Sequence, residues 1–180
     1  RQIGDAPRPA PQHRPACAGE QVATGAYDGS ARLWRDDGSL LASFSPGDGP
    51  VQALAFDAVR GALWVGTWGG RVIVYDQRSG AATTVCRLTE SIRTLGLAAD
   101  GRHLVAGDNG GRFQVIDLEG GTQPVLSAQV AGPAYRARFD TDGSVLVTSA
   151  DGLRRYRPGA TLPTAVYPCD DARWFDVLPD

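Results

Sequence analysis

The chain has 180 residues, with 42% hydrophobic and 21% charged, the balance of one ordinary globular domain rather than a disordered segment. A net charge of -2 supplies no bulk field toward nucleic acid or a membrane surface. No apolar run approaches the roughly 20 residues of a membrane span, and residues 1–20 have no apolar core of a secretory signal. There is no Met, and all 18 basic residues are Arg. The missing Met leads us to expect a processed chain or a piece of a longer one.

Residues 1–18 carry Pro7, Pro9, Pro11 and Pro15 with little apolar periodicity, so they read as a linker or tail. From residue 19 to 180, short apolar runs alternate with turn signals, the pattern of an all-β domain. The first hairpin is Gly25-Ala-Tyr-Asp-Gly-Ser-Ala-Arg-Leu-Trp34, where Asp28-Gly29 makes the turn because Gly takes φ > 0 without a Cβ penalty. A strand is expected over 40–44 and another over 51–56, where Val51, Ala53 and Ala55 alternate with Gln52, Leu54 and Phe56. The apolar run 63–65 suits a strand covered on both faces, and 71–75 returns after Gly69-Gly70. The same order follows at 92–97, 103–106 and 112–116, then at 135–139, 145–148 and 153–156, and finally at 164–167 and 173–177.

These strands repeat. Gly29, Gly70, Gly111 and Gly152 stand 41 residues apart. Val22, Leu63, Leu104 and Val145 hold the same spacing, as do Gly25, Gly66, Gly107 and Thr148, and Phe44, Val85, Leu126 and Tyr167. A fixed period in this range marks a solenoid, propeller or array. Each unit has room for four strands and none for a crossover helix. Such sheets bury two apolar faces only when stacked, as in radial blades. The fold class expected is therefore all-β: a β-propeller of stacked four-stranded antiparallel blades, an incomplete piece of about four blades from a larger ring. The sequence divides into part of a blade over 20–36, blades over 40–77, 81–117 and 122–157, and part of a blade over 162–178.

The segment 25–34 resembles the repeat end of the WD-repeat (Trp-Asp repeat) β-propeller family: a small-residue strand, an Asp-Gly turn and a strand closing on Trp. The other units are degenerate, bacterial-type versions. Tyr75-Asp76 and Ile116-Asp117 stand at the family's Trp-Asp pair, whereas Trp34-Arg35 and Tyr156-Arg157 lack the Asp. The family's Gly-His signature before the inner strand is absent, since His13 and His103 lie elsewhere. Ala62-Leu-Trp-Val-Gly-Thr-Trp-Gly-Gly70 with Val72-Ile-Val-Tyr-Asp76 is also similar to the propeller repeats of bacterial sensor proteins. The Asp-x-x-Thr-Gly pattern of quinoprotein propellers is missing.

Catalytic chemistry finds no footing. Asp140-Thr-Asp-Gly143 lacks the further ligands of a calcium loop and reads as a hairpin turn. Cys17, Cys86 and Cys169 are odd in number and have no metal spacing, and Cys86 and Cys169 fall in non-adjacent units, too far apart to bridge. No nucleophile elbow, phosphate loop or paired catalytic carboxylates are present. No enzyme activity, cofactor or metal is expected. What remains is a surface. The alignment puts Tyr27, Trp68, Asn109 and Ala150 on turns at one end of the blades, and Gln52, Arg93, Tyr135 and Arg173 at the starts of the innermost strands beside them. Trp, Tyr and Arg dominate interface energy, although Trp68 can equally be read as packing on a neighbouring blade. Asp48, Glu90, Asp170 and Asp171 fall on the same loops and suit a partner bearing Arg or Lys. The reading is a non-catalytic WD-repeat-like scaffold for a protein or peptide, without nucleic acid or membrane, cytoplasmic, with neighbouring domains on the same longer chain. The alternative is a ligand-sensing propeller of a bacterial extracytoplasmic sensor.

Overall fold

A computed structural model describes residues 16–18, 21–57, 60–121 and 123–170. Sixteen strands are described and no helix. The first sheet comprises β1 (Ala16–Ala18), β2 (Gln21–Gly25), β3 (Ala31–Arg35) and β4 (Leu40–Phe44). The second holds β5 (Val51–Asp57), β6 (Ala62–Thr67), β7 (Arg71–Asp76) and β8 (Ala82–Arg87). The third holds β9 (Ile92–Leu97), β10 (His103–Asp108), β11 (Arg112–Asp117) and β12 (Pro124–Gln129). The fourth holds β13 (Arg136–Phe139), β14 (Val145–Ser149), β15 (Gly152–Tyr156) and β16 (Ala165–Pro168). Every sheet is an antiparallel meander in sequence order, and the four stack as the blades of an incomplete β-propeller.

The 41-residue columns become the same cross-strand pair in each sheet. Val22 faces Trp34, Leu63 faces Tyr75, Leu104 faces Ile116 and Val145 faces Tyr156. Sequence units and hydrogen-bonded sheets are phased differently. Leu40–Phe44 pairs with β3, so a sheet closes with the strand that opens the next sequence unit. Ala16–Ala18, inside the proline-rich stretch, pairs with β2, while residues 1–15 and the expected strand 173–177 lie outside the described residues.

Three clusters fill the spaces between successive sheets. Ala23, Leu33, Val51 and Val65 join the first to the second; Trp64, Val72, Ile92 and Leu104 join the second to the third; Phe113, Val115, Val147 and Tyr156 join the third to the fourth. Burying such side chains contributes roughly 1.5–3 kcal/mol each. Aromatic rings reinforce the seams. Phe44 stacks on Tyr75 at 4.5 Å between centroids, and Phe113 meets Tyr156 edge-on at 4.8 Å.

The first strands β5, β9 and β13 are neighbours along the inner side of the stack. Gly66 shows how closely the sheets approach there. A Cβ built on it would enter the van der Waals shell of Ile92, at the start of β9. Gly25 meets Val51 in the same way. The glycine column is thus the contact between the second strand of one sheet and the innermost strand of the next.

Candidate functional site

The site is built from two features that recur at one end of the sheets. The first is a bulge at the start of the innermost strand. Val51 faces Thr67 and Ala53 faces Gly66, which leaves Gln52 as the extra residue. In the third sheet Ile92 faces Asp108 and Thr94 faces Gly107, which leaves Arg93 as the extra residue. A bulge releases a side chain from the strict alternation of the strand and re-aims it.

The second feature is the turn between the second and third strands. It is clamped to the loop that precedes the innermost strand of its own sheet. The Trp68 N–H donates to the Pro50 carbonyl (2.8 Å), Asn109 N–H to Ser91 (2.9 Å) and Ala150 N–H to Ala131 (3.2 Å). The turns themselves are held by side chains. Asp28 accepts the Ser30 hydroxyl and amide, and its carboxyl is lowered to about 2 by these bonds and by Arg32. Thr67 Oγ1 accepts from the Arg71 N–H (3.0 Å) and donates to Asp48 Oδ2 (2.8 Å). Asp108, almost fully buried, accepts the Arg112 N–H (2.9 Å) and the Glu90 N–H (3.3 Å). Ser149 donates to Asp151 (2.7 Å), which Arg154 also grips, and this holds the Asp151 carboxyl well below its usual range. Thr67, Asp108 and Ser149 follow the 41-residue spacing, a polar column that could have been read from the sequence but was not among the expected site residues.

Together these features bring Gln52, Trp68, Arg93 and Asn109 around one hollow of about 140 Å³, with Glu90 and Ser91 completing its wall. Trp68 is 52% exposed, with its remaining surface packed beside Gly49. The Arg93 guanidinium lies 5.7 Å from the centre of the Tyr135 ring, within cation–π range. Gln52 is only 9% exposed, and its carboxamide is not one of the buried side-chain groups left without a partner. The Glu90 carboxylate and the Asn109 carboxamide are unpaired among the described residues.

Three expected residues stand outside this group, and of these Tyr135 only borders the hollow through Arg93. Tyr27 occupies the matching turn of the first sheet, 59% exposed, but does not line the hollow. Arg173 lies outside the described residues. Asp48, expected to offer a free charge to a partner, is already occupied by Arg71 (3.0 Å) and Arg87 (3.2 Å). Glu90 is the acid of that group that lines the hollow.

Other candidate chemistry resolves as structure. Asp140-Thr-Asp-Gly143 is a hairpin turn in which Gly143 takes φ 78° and its N–H meets the Asp140 carbonyl (3.0 Å). Cys86 and Cys169 are free thiols in the second and fourth sheets' regions, and burial pushes the Cys86 thiol up to about 11. Among the described residues no three His, Cys, Asp or Glu side chains are grouped to hold a metal. None of the described residues forms a helix long and apolar enough to cross a membrane. Trp34 Nε1 donates to Thr24 Oγ1 (2.8 Å), so the first sheet ties its closing Trp to the neighbouring strand.

No family model matches the chain. It is 30% identical over 102 residues to F-box/WD repeat-containing protein 9 of Bos taurus, a stretch that covers 57% of this chain and 22% of that protein. It is 44% identical over 52 residues to the ribosome biogenesis protein YTM1 of Coprinopsis cinerea, covering 28% of this chain and 12% of that one. The chain thus matches less than a quarter of the length of either curated relative. Weak sequence similarity to WD-repeat proteins and a stack of four-stranded antiparallel sheets agree with one another, and both fit a WD-repeat propeller.

Proposed function

We propose that this chain is a non-catalytic scaffold that holds a protein or peptide at the end of the sheets carrying Gln52, Trp68, Arg93 and Asn109. The observation that carries the reading is the hollow itself: Gln52, Arg93 and Asn109 set beside a half-exposed Trp68. A peptide supplies what such a hollow lacks. Its backbone offers both a donor and an acceptor to Gln52 and Asn109, and one of its side chains matches a space of about 140 Å³. Trp68 and the Arg93–Tyr135 pair supply the large, stiff surfaces that anchor interfaces. The similarity to a protein named for its WD repeats supports the same reading.

The test is a peptide phage-display selection on the full chain, followed by affinity measurement of the enriched peptides. The double variant Trp68→Ala with Arg93→Ala should bind them about 30-fold more weakly, as expected when a hot spot worth about 2 kcal/mol is lost. Its circular dichroism should not change, because both side chains are exposed. Peptides that bind the double variant as tightly as the wild type would refute the assignment.

A further inference from the structure

A second hollow lies at the opposite end of the stack, between the third and fourth sheets, with a volume of about 330 Å³. Its walls are apolar. Val115, Val125 and Leu126 come from the third sheet and Phe139, Val145 and Pro158 from the fourth sheet and its turn. Val125 is 56% exposed here, and no side chain of the described residues fills the space. A hollow of this size is at the lower bound of pockets that take small molecules, roughly 300–1,000 Å³.

The charges around the mouth differ in whether they are already paired. The Asp100 carboxylate accepts from His103 Nδ1 (2.7 Å) and from the Arg102 N–H (2.7 Å), so acid and imidazole are committed to each other. The His103 ring also lies 6.4 Å from that of Phe139, in the wall. In the neighbouring turn Asp140 and Asp142 both hold Arg155, each at 2.8 Å. Arg157 alone of the lining charges has an exposed guanidinium with no hydrogen-bond or carboxylate partner among the described residues. An apolar space with one unpaired cation at its edge selects a molecule of the complementary kind.

We propose that this hollow binds a compact apolar molecule carrying one anionic group, a medium-chain or aromatic carboxylate, with its hydrocarbon between the two sheets and its charge at Arg157. Burial of the hydrocarbon drives binding, and Arg157 sets the preference for an anion. The site is independent of the peptide-binding end, since the two hollows share no residue.

The experiment titrates the isotopically labelled full chain with octanoate and, separately, with octanamide, and follows methyl resonances by NMR. Octanoate should shift the methyls of Val115, Val125 and Val145 saturably, while the Trp68 indole N–H and Arg93 Nε–H signals, read in a nitrogen-correlated spectrum of the same sample, stay in place. Arg157→Ala should weaken octanoate about tenfold, the loss of one charge-assisted hydrogen bond, and leave octanamide unaffected. Val125→Asp, a change at an exposed position, should abolish octanoate binding with an unaltered circular dichroism spectrum. The proposal is overturned if octanoate shifts none of these methyls, or if octanamide binds equally well. It also fails if these methyls broaden with chain concentration alone, which would make a second copy the occupant.

Discussion

Leu104 offers the most direct trial of the stacked architecture. Its side chain is completely buried, between Ala53, Trp64 and Val72 of the second sheet and Ile92 and Ala106 of the third. Replacing it by Ala removes three carbons, worth about 2.4 kcal/mol at roughly 0.8 kcal/mol each. The cavity left behind adds to this, because the walls belong to two hydrogen-bonded ladders that cannot easily close on it. The total should fall at about 3–4 kcal/mol, within the usual range of about 2–5 for such truncations. That is a large share of the roughly 5–15 kcal/mol that holds a domain folded. Urea unfolding followed by circular dichroism should show a lower midpoint at unchanged slope. In a thermal melt the midpoint should drop by about 6–15 °C for a chain of this size. Val125→Ala, at an exposed site, serves as the control and should stay within about 0.5 kcal/mol. A Leu104→Ala loss below about 1 kcal/mol at constant slope would mean that sheets two and three do not bury this residue against each other.

Two further outcomes follow from the polar groups. Gln52→Leu keeps the side chain's bulk but removes an amide that lines the hollow, so peptide binding should be lost while stability changes by about 1 kcal/mol or less. A urea midpoint shifted down by the equivalent of more than 1 kcal/mol would show that the amide is satisfied within the chain. Asp28 has its folded pKa lowered to about 2, against roughly 3.9 in an unfolded chain. A depressed carboxyl contributes stability that is complete above about pH 4 and is lost as the pH falls toward about 2. Asp28→Asn should therefore show a flatter decline in urea midpoint across that window than the wild type. The carboxylate is more than half exposed, so solvent screening keeps the difference small. Identical profiles for the two proteins would refute the assignment.

The periodic part of this fold is legible because one physical requirement recurs at one spacing. Each sheet needs an apolar residue opposite its closing aromatic or aliphatic, and a turn where Gly reaches positive φ, as at Gly29, Gly70 and Gly111. What the spacing does not reveal is the phase, since any cut through a repeat gives the same period. A local signal did exist. Asp37-Gly38 is a tight-turn pair, and the Arg35 N–H meets the Ser39 carbonyl at 2.9 Å with Gly38 at φ 80°, so β3 and β4 form a hairpin. The loop 45–50 has proline at both Pro46 and Pro50 and is the true crossing between sheets.

The candidate site divides along the same line between local and long-range information. Gln52 and Arg93 begin innermost strands, which the order of the sequence shows, but alternation puts Gln52 on the face of Leu54 and Phe56. The bulge between Val51 and Ala53 takes it out of that alternation. A bulge is a mismatch between two strands, so neither strand's sequence declares it. Asp48 misled for a related reason. It is a loop carboxylate whose partners, Arg71 and Arg87, arrive from other strands of the next sheet. The same stacking explains why the end carrying Trp68 is available to bind anything. Gly25 and Gly66 let the innermost strands approach so closely that their first turns are fixed by backbone bonds and buried carboxylates. The side chains of Trp68 and Asn109 are then left at the surface, around the hollow that Gln52 lines.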